Sequence, residues 1–434
     1  MFGEISDKSP HASRKGKATM RACLKRGWIV IALCFIFNSA VPASADDNAP
    51  AGRVSFYKDI LPIMQESCQV CHRPGGKSLS GMVAPMAFMT YQEVRPWSKA
   101  IAKQVNAGRM PPWHAAREHE GTFQGERYLA DEKVQTLVRW AETGAAIGNP
   151  ADAPEPVDWD AQSGWAIGEP DLIVKIPVPF FVNDDVEDLQ LTFRGMITEE
   201  MLPEARYMKA SQIISGSEAV HHIIARPLGG MAPGTGPTIT PQGFANILRP
   251  NTPINWQMHY HKEAGPGTGV WDESYIGVVF HPKGAEKDMK YAVGGGPGNI
   301  GNTRFEIPPQ HGDWAVGSAH TYAQDTLILS YLPHMHFRGK DITYTAFYPD
   351  GTTEILLDVP RYDYNWQNRY VYQEEKWVPE GTRIEVMAHF DNSVDNPYNP
   401  DPTRAIRFGG PTTDEMMLGW LSTWLPIEED DATQ

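Results

Sequence analysis

From about residue 170 onward the apolar positions come in short β-branched and aromatic runs. "DLIVKIPVPFFV", "LQLTFRGMI", "YIGVVFH", "TLILSYLPHMHF", "ITYTAFYPDG", "TRIEVMAHFD" and "MLGWLSTW" are separated by turn clusters such as "PDGT", "PEGT" and "DNSVDNPYNPDP". Runs of this length bounded by Gly, Pro, Asn and Asp predict strands. No long amphipathic helix follows residue 150. Upstream the period changes. "SFYKDILPIMQES" predicts a short helix with Ser55 at its N-cap. "WSKAIAKQVNAG" spaces Trp97, Ile101 and Val105 four apart and stops at Gly108. "ADEKVQTLVRWAETG" starts at Asp131, puts Val134, Leu137, Val138 and Ala141 on one face, and stops at Gly144. The Pro- and Asp-rich stretch 149–167 predicts a linker.

The pattern therefore predicts a multidomain chain, with a small all-α domain over 50–148. Two all-β antiparallel sandwich or jelly-roll subdomains follow, over 168–305 and 306–427. A content of 39 Gly and 36 Pro in 434 residues suits a turn-rich architecture. The first 45 residues read as an export signal: basic Arg21, Lys25 and Arg26, an apolar run from Trp28 to Phe37, and Ala-Ser-Ala at 43–45. That run is too short to span a bilayer, and no later segment could, so a periplasmic protein is expected. Residues 1–45 are net basic while the whole chain carries −15, so the remainder is strongly acidic. An acidic surface argues against nucleic acid and anionic lipid.

Of four cysteines, Cys23 and Cys34 lie within the signal, leaving Cys68 and Cys71. "CQVCH" at 68–72 is the c-type haem attachment spacing: two thioethers from Cys68 and Cys71, with His72 as iron ligand. In "GRMPPWH" a proline-stiffened loop offers Met110 as the sixth ligand, with Met82, Met86, Met89 and His114 as rivals. This segment resembles the class I cytochrome c domain, which implies one covalent haem c with Met110 on the iron and a role in electron transfer.

The strand-rich half concentrates histidine. His334 and His336 in "LPHMHFRGK" share a strand face, with Met335 opposite, and two imidazoles on one face suit a metal. "AVHHIIA" carries His221 and His222. Adjacent strand residues point to opposite faces, so both can reach one ion only if the strand bulges. "INWQMHYHK" carries His259, with His261 on the same face as a possible substitute, and "TTDEMMLGW" carries Met416. His281, His311, His320 and His389 read as packing or surface groups.

The ordered set HH, QMHYH, HMH, DEM resembles the copper type II, ascorbate-dependent monooxygenases, whose known members include peptidylglycine and dopamine hydroxylases. The resemblance covers roughly 165–425. It implies two copper ions, one on His221, His222 and His259, the other on His334, His336 and Met416. It also implies hydroxylation of a substrate C–H bond by O2, with electrons from a periplasmic donor relayed through the haem. Peptidylglycine hydroxylase holds its substrate carboxylate with an arginine two residues before H-x-H, and with an asparagine and tyrosine after the methionine. Leu332, Leu418 and Trp420 stand there instead, so a small apolar organic substrate is expected. Two other functions remain open at this stage: a redox or copper-binding protein without turnover, and a haem peroxidase-like enzyme with an open sixth site.

Overall fold

The computed structural model describes residues 53–74, 84, 86–159, 165–232 and 235–427. The export signal expected at 1–45 lies outside them, and no described helix is long and apolar enough to cross a membrane.

The first sandwich is built on β1 (Leu172–Lys175), β2 (Asp188–Ile197), β3 (Arg206–Ile214), β4 (Val220–Arg226), β5 (Gly229–Met231), β6 (Thr252–His261) and β7 (Tyr275–Phe280). One sheet runs β1-β7-β3 and the other β2-β6-β4-β5. Val174, Met208, Ile276 and Val278 from the first meet Ile223, Ala225, Ile254 and Trp256 from the second in one buried core. The alternation along β6, with Ile254, Trp256 and Met258 inward and Pro253, Asn255 and Gln257 outward, is what the pleat requires of a half-buried strand.

The second sandwich follows with β8 (Tyr291–Val293), β9 (Trp314–Thr321), β10 (Thr326–His334), β11 (Gly339–Phe347), β12 (Thr353–Val359), β13 (Tyr370–Val378), β14 (Arg383–Phe390) and β15 (Leu418–Pro426). Its sheets run β13-β10-β15-β8 and β9-β14-β11-β12. On β14, Ile384, Val386, Ala388 and Phe390 are all fully buried. They pack with Ile342 and Tyr344 of β11 and with Ile328 and Tyr331 of β10. β8 pairs with β15 through Tyr291↔Pro426 to Val293↔Trp424, although sequence pattern alone groups residue 291 with the first sandwich.

The small all-α cytochrome c domain expected over 50–148 is corrected here. The chain is mostly β, residues 48–434 group into one compact unit, and among the described residues no separate helical domain is seen. Helices α1 (Leu61–Ser67), α2 (Tyr91–Val94), α3 (Ser98–Asn106) and α4 (Asp131–Glu142) are short. Gly108 at φ +61° and Gly144 at φ +93° follow the ends of α3 and α4, in the left-handed conformation that glycine tolerates. The helices pack on Phe56, Met64, Leu137 and Trp140, but the loop between α3 and α4 leaves them. Its Trp113, Ala115 and Phe123 sit in the core of the second sandwich. Phe123 packs 5.1 Å from Tyr372, and Gln124 N–H donates to Val371 O at 2.7 Å, extending the edge of β13. The expected linker is likewise docked: Trp159 Nε1 donates to Gln69 Oε1 at 3.3 Å, and the Arg73 guanidinium lies 4.5 Å from the Trp159 ring.

Because Phe123 fills second-sandwich core, Phe123→Ala should destabilise that sandwich by about 3–5 kcal/mol. Urea unfolding followed by tryptophan fluorescence would show it as a lower midpoint of the β transition. A helical domain folding on its own would leave that transition unmoved.

Candidate metal centre

β4 and β6 pair in regular register from Asn255↔Arg226 to His259↔His222; the next pair is Tyr260↔Val220. His221 is the extra residue of a β-bulge. The bulge turns its ring to the side occupied by His222, so three imidazoles gather where a regular ladder would hold two. His222 Nδ1 lies 3.2 Å from His259 Nδ1 and 3.4 Å from His221 Nδ1. One nitrogen from each ring falls within 4.8 Å of the others.

His259 Nε2 is 3.0 Å from the Asp188 carboxylate. That contact is favourable only if Nε2 carries the proton, so in the neutral ring Nδ1 presents its lone pair to the other histidines. Burial tends to raise Asp188, but hydrogen bonds from His259, His261 and Thr412 outweigh it and hold the carboxyl well below the usual carboxylate range. Burial, aided by neighbouring rings, pushes His221 down to about 3 and His222 well below its ordinary value. Three lone pairs facing one another repel unless a cation or a proton sits between them. The donor set therefore fits a metal that accepts imidazole.

The second set lies across the same cleft. β10 ends at His334. Met335 turns into the sandwich core while His334 and His336 face the cleft, their ring centroids 5.3 Å apart. His334 Nδ1 donates to Gln367 Oε1 at 2.7 Å and His336 Nδ1 to Asp414 O at 3.2 Å, so each ring offers Nε2. Burial pushes His336 down to about 3. Met416 lines the cleft with them. The His222 and His334 centroids are 6.3 Å apart, so the two sets are neighbours. Tyr364 stacks on His221 at 4.9 Å and meets Phe337 edge-on at 4.7 Å. The cleft encloses about 500 Å3.

Glu415 anchors this half. Its fully buried carboxylate accepts from the backbone N–H of His336 (2.8 Å), Arg338 (2.6 Å) and Met416 (3.2 Å). Burial pushes the carboxyl up to about 8, against the opposing pull of those donors and of Arg338. Two bonds tie the sandwiches together here: Thr412 Oγ1 to Asp188 Oδ2 at 3.0 Å and Gln190 Nε2 to Gly410 O at 2.7 Å.

At the helical end, His72 Nδ1 donates to Met86 O at 3.0 Å, its ring stacks on Phe88 at 4.2 Å, and Nε2 is left for a ligand. Cys68 and Cys71 are unpaired thiols, as thioether attachment to haem requires. Met110 and Met86 both pack on the cluster that Cys68 borders. Met82 lies outside the described residues. His114 is placed elsewhere, lining a groove with Phe337, Arg361 and Tyr362. Arg127, whose charge is felt by Cys71, donates to Asn368 Oδ1, and the adjacent Gln367 holds His334.

His261 is exposed on the far side of Asp188, 3.7 Å from it. His389 pairs with Asp341 at 2.6 Å. Neither belongs to the cluster of converging ring nitrogens. The residues that orient the rings, Asp188, Gln367 and Glu415, were not singled out from sequence. Only the adjacency of Glu415 to Met416 and the placement of Asp188 opposite His261 could have marked them, and the latter needs the strand register.

No family model matches the chain, and no curated protein matches it. Among solved structures, a turret protein of Sulfolobus turreted icosahedral virus is 11% identical, over 59% of this chain and 99% of its own, with a TM-score of 0.13. An uncharacterized protein from Listeria monocytogenes EGD-e is 12% identical over 57% of this chain; the match spans only 20% of that protein, with a TM-score of 0.13. At such values neither likeness bears on fold or function.

Two outcomes follow for this site. Asp188→Asn should weaken metal binding to the three-histidine set about 10–100-fold in a chelator competition. In metal-free protein, His221 and His336 titrate near 3 when folded and near 6.5 when unfolded. The unfolded chain therefore binds more protons in that window, and stability should fall as pH is lowered through it. Urea midpoints across the window would register the slope.

Proposed function

We propose that this chain is an exported, copper-dependent monooxygenase in which a covalent haem c supplies electrons to two copper ions. The observation that carries the reading is the convergence of His221, His222 and His259, two of which, His222 and His259, line one cleft with His334, His336 and Met416. The order of these residues along the chain resembles that of the copper type II monooxygenases. Its overall reaction would be R–H + O2 + two electrons + two protons giving R–OH + H2O.

His221, His222 and His259 would hold one copper; His334, His336 and Met416 the other. Imidazole serves both copper oxidation states, and a thioether favours the reduced one. When bound, copper supplies one-electron chemistry with O2, and haem supplies one-electron storage and transfer. Asp188, Gln367 and the Asp414 carbonyl fix the ring tautomers and aim the free nitrogens into the cleft. Glu415 fixes the backbone on both sides of His336 and at Met416. Leu332, Leu418 and Trp420 would give the cleft an apolar surface for the substrate.

Cys68 and Cys71 would carry the haem and His72 would ligate its iron, with Met110 as the sixth ligand. The contact chain from Arg127 through Asn368 and Gln367 to His334 supports relay between the two centres. The electrons would come from a periplasmic donor, and the substrate would be a small molecule.

The test is metal content of protein matured with haem and loaded with copper, read by mass spectrometry. A Cu:Fe ratio of about two, falling by about one in His334→Ala, is expected, together with O2 uptake by the reduced protein. A ratio near zero would remove the reading. Full copper with no O2 uptake across a substrate panel would leave a redox carrier.

A further inference from the structure

Sequence comparison at Leu332, Leu418 and Trp420 argues for an apolar substrate, and all three do line the cleft. The same wall, however, carries two arginines. Arg226 closes β4 of the first sandwich, its guanidinium 5.0 Å from the Trp420 ring centroid. Arg369 comes from the second sandwich and donates through Nη1 to Thr238 Oγ1 of the first at 2.9 Å. Among the described residues, none of those lining the cleft is acidic, in a chain with 53 acids against 38 bases.

Arg338 provides the comparison. It is buried, and the Glu415 carboxylate works against the cost of its desolvation. Arg369 is half-buried in the wall, and no carboxylate is set against its desolvation. A partly desolvated guanidinium facing a cleft without a counter-ion suits an anionic ligand, and a planar fork of N–H donors matches a carboxylate well. The wall also presents apolar Leu191, Met231 and Met258 among neutral polar groups such as Thr192 and Gln257, and about 500 Å3 suits a small molecule rather than a polymer.

We propose that the cleft takes a small organic acid as its anion: Arg226 and Arg369 receive the carboxylate, and Leu332, Leu418 and Trp420 hold the hydrocarbon body. The assignment rests on the reading of this cleft as the substrate site of the proposed enzyme. It places recognition of the acid on both sandwiches, so that binding draws them together around the metal ligands.

The test is calorimetric binding to metal-free full-length protein at about pH 8, where the histidines are neutral and no copper can attract the anion. Hexanoate and 3-phenylpropanoate are compared with hexanamide and 3-phenylpropanamide. Each acid should bind about tenfold more tightly than its amide, or better. Arg369→Met and Arg226→Met should each bring the acid down towards the amide. Acids that bind no better than amides, or do not bind at all, would overturn the proposal without needing either variant to fold. So would an acid preference that survives in both variants. Failure here with two coppers bound would remove only the substrate class. An acid preference in a protein that takes no copper would remove only the monooxygenase reading.

Discussion

The second half of the site depends on one buried carboxylate. Glu415 gathers the backbone N–H groups of His336, Arg338 and Met416 onto its two oxygens. These donors belong to segments nearly eighty residues apart, one leaving β10 and one entering β15. The ladder between β10 and β15 runs only to His334↔Leu418. Beyond its end the Glu415 carboxyl continues the pairing, and Arg338, itself fixed by Asn392 and the Thr413 carbonyl, pulls that carboxyl down against the burial that raises it. Removing one member of such a buried pair strands the other, which is far costlier than losing a surface contact. This anchor, with the end of the β10–β15 ladder, brings Met416 into the cleft with His336.

The first half rests on strand pairing instead. Its three rings are placed by a ladder whose register is pinned on both sides of β6, and by one skipped residue. The two halves meet through Thr412 and Gln190, which join the loop before Met416 to the strand carrying Asp188. A displacement of one sandwich against the other would therefore disturb the tautomer of His259 as well as the position of Met416.

Much of the architecture was legible because it is periodic. The four-residue spacing of Ile101 and Val105 marked α3, and the β-branched and aromatic run "TRIEVMAHFD" marked β14. The shared face of His334 and His336 followed from the pleat. What escaped has no period. Trp113 and Phe123 lie between two helical patterns and look like helical-domain loop, yet they belong to a β core more than two hundred residues on. The helical patterns around the CQVCH motif predict a separate helical domain, but among the described residues this loop is built into the second sandwich instead. Asp188 and Gln367 are single polar residues that acquire meaning only from long-range contacts. Arg226 and Arg369 lie in different sandwiches, and no spacing along the chain announces that they share a wall.

The bulge at His221 has a consequence for the origin of such a site. The pairs on either side of it, His259↔His222 and Tyr260↔Val220, are those of an uninterrupted ladder with one residue left over. Taking that residue away would close the ladder and leave a strand with a single histidine facing His259, with both cores untouched. A one-codon insertion into an ordinary antiparallel strand pair would thus turn a two-nitrogen contact into a three-nitrogen cage.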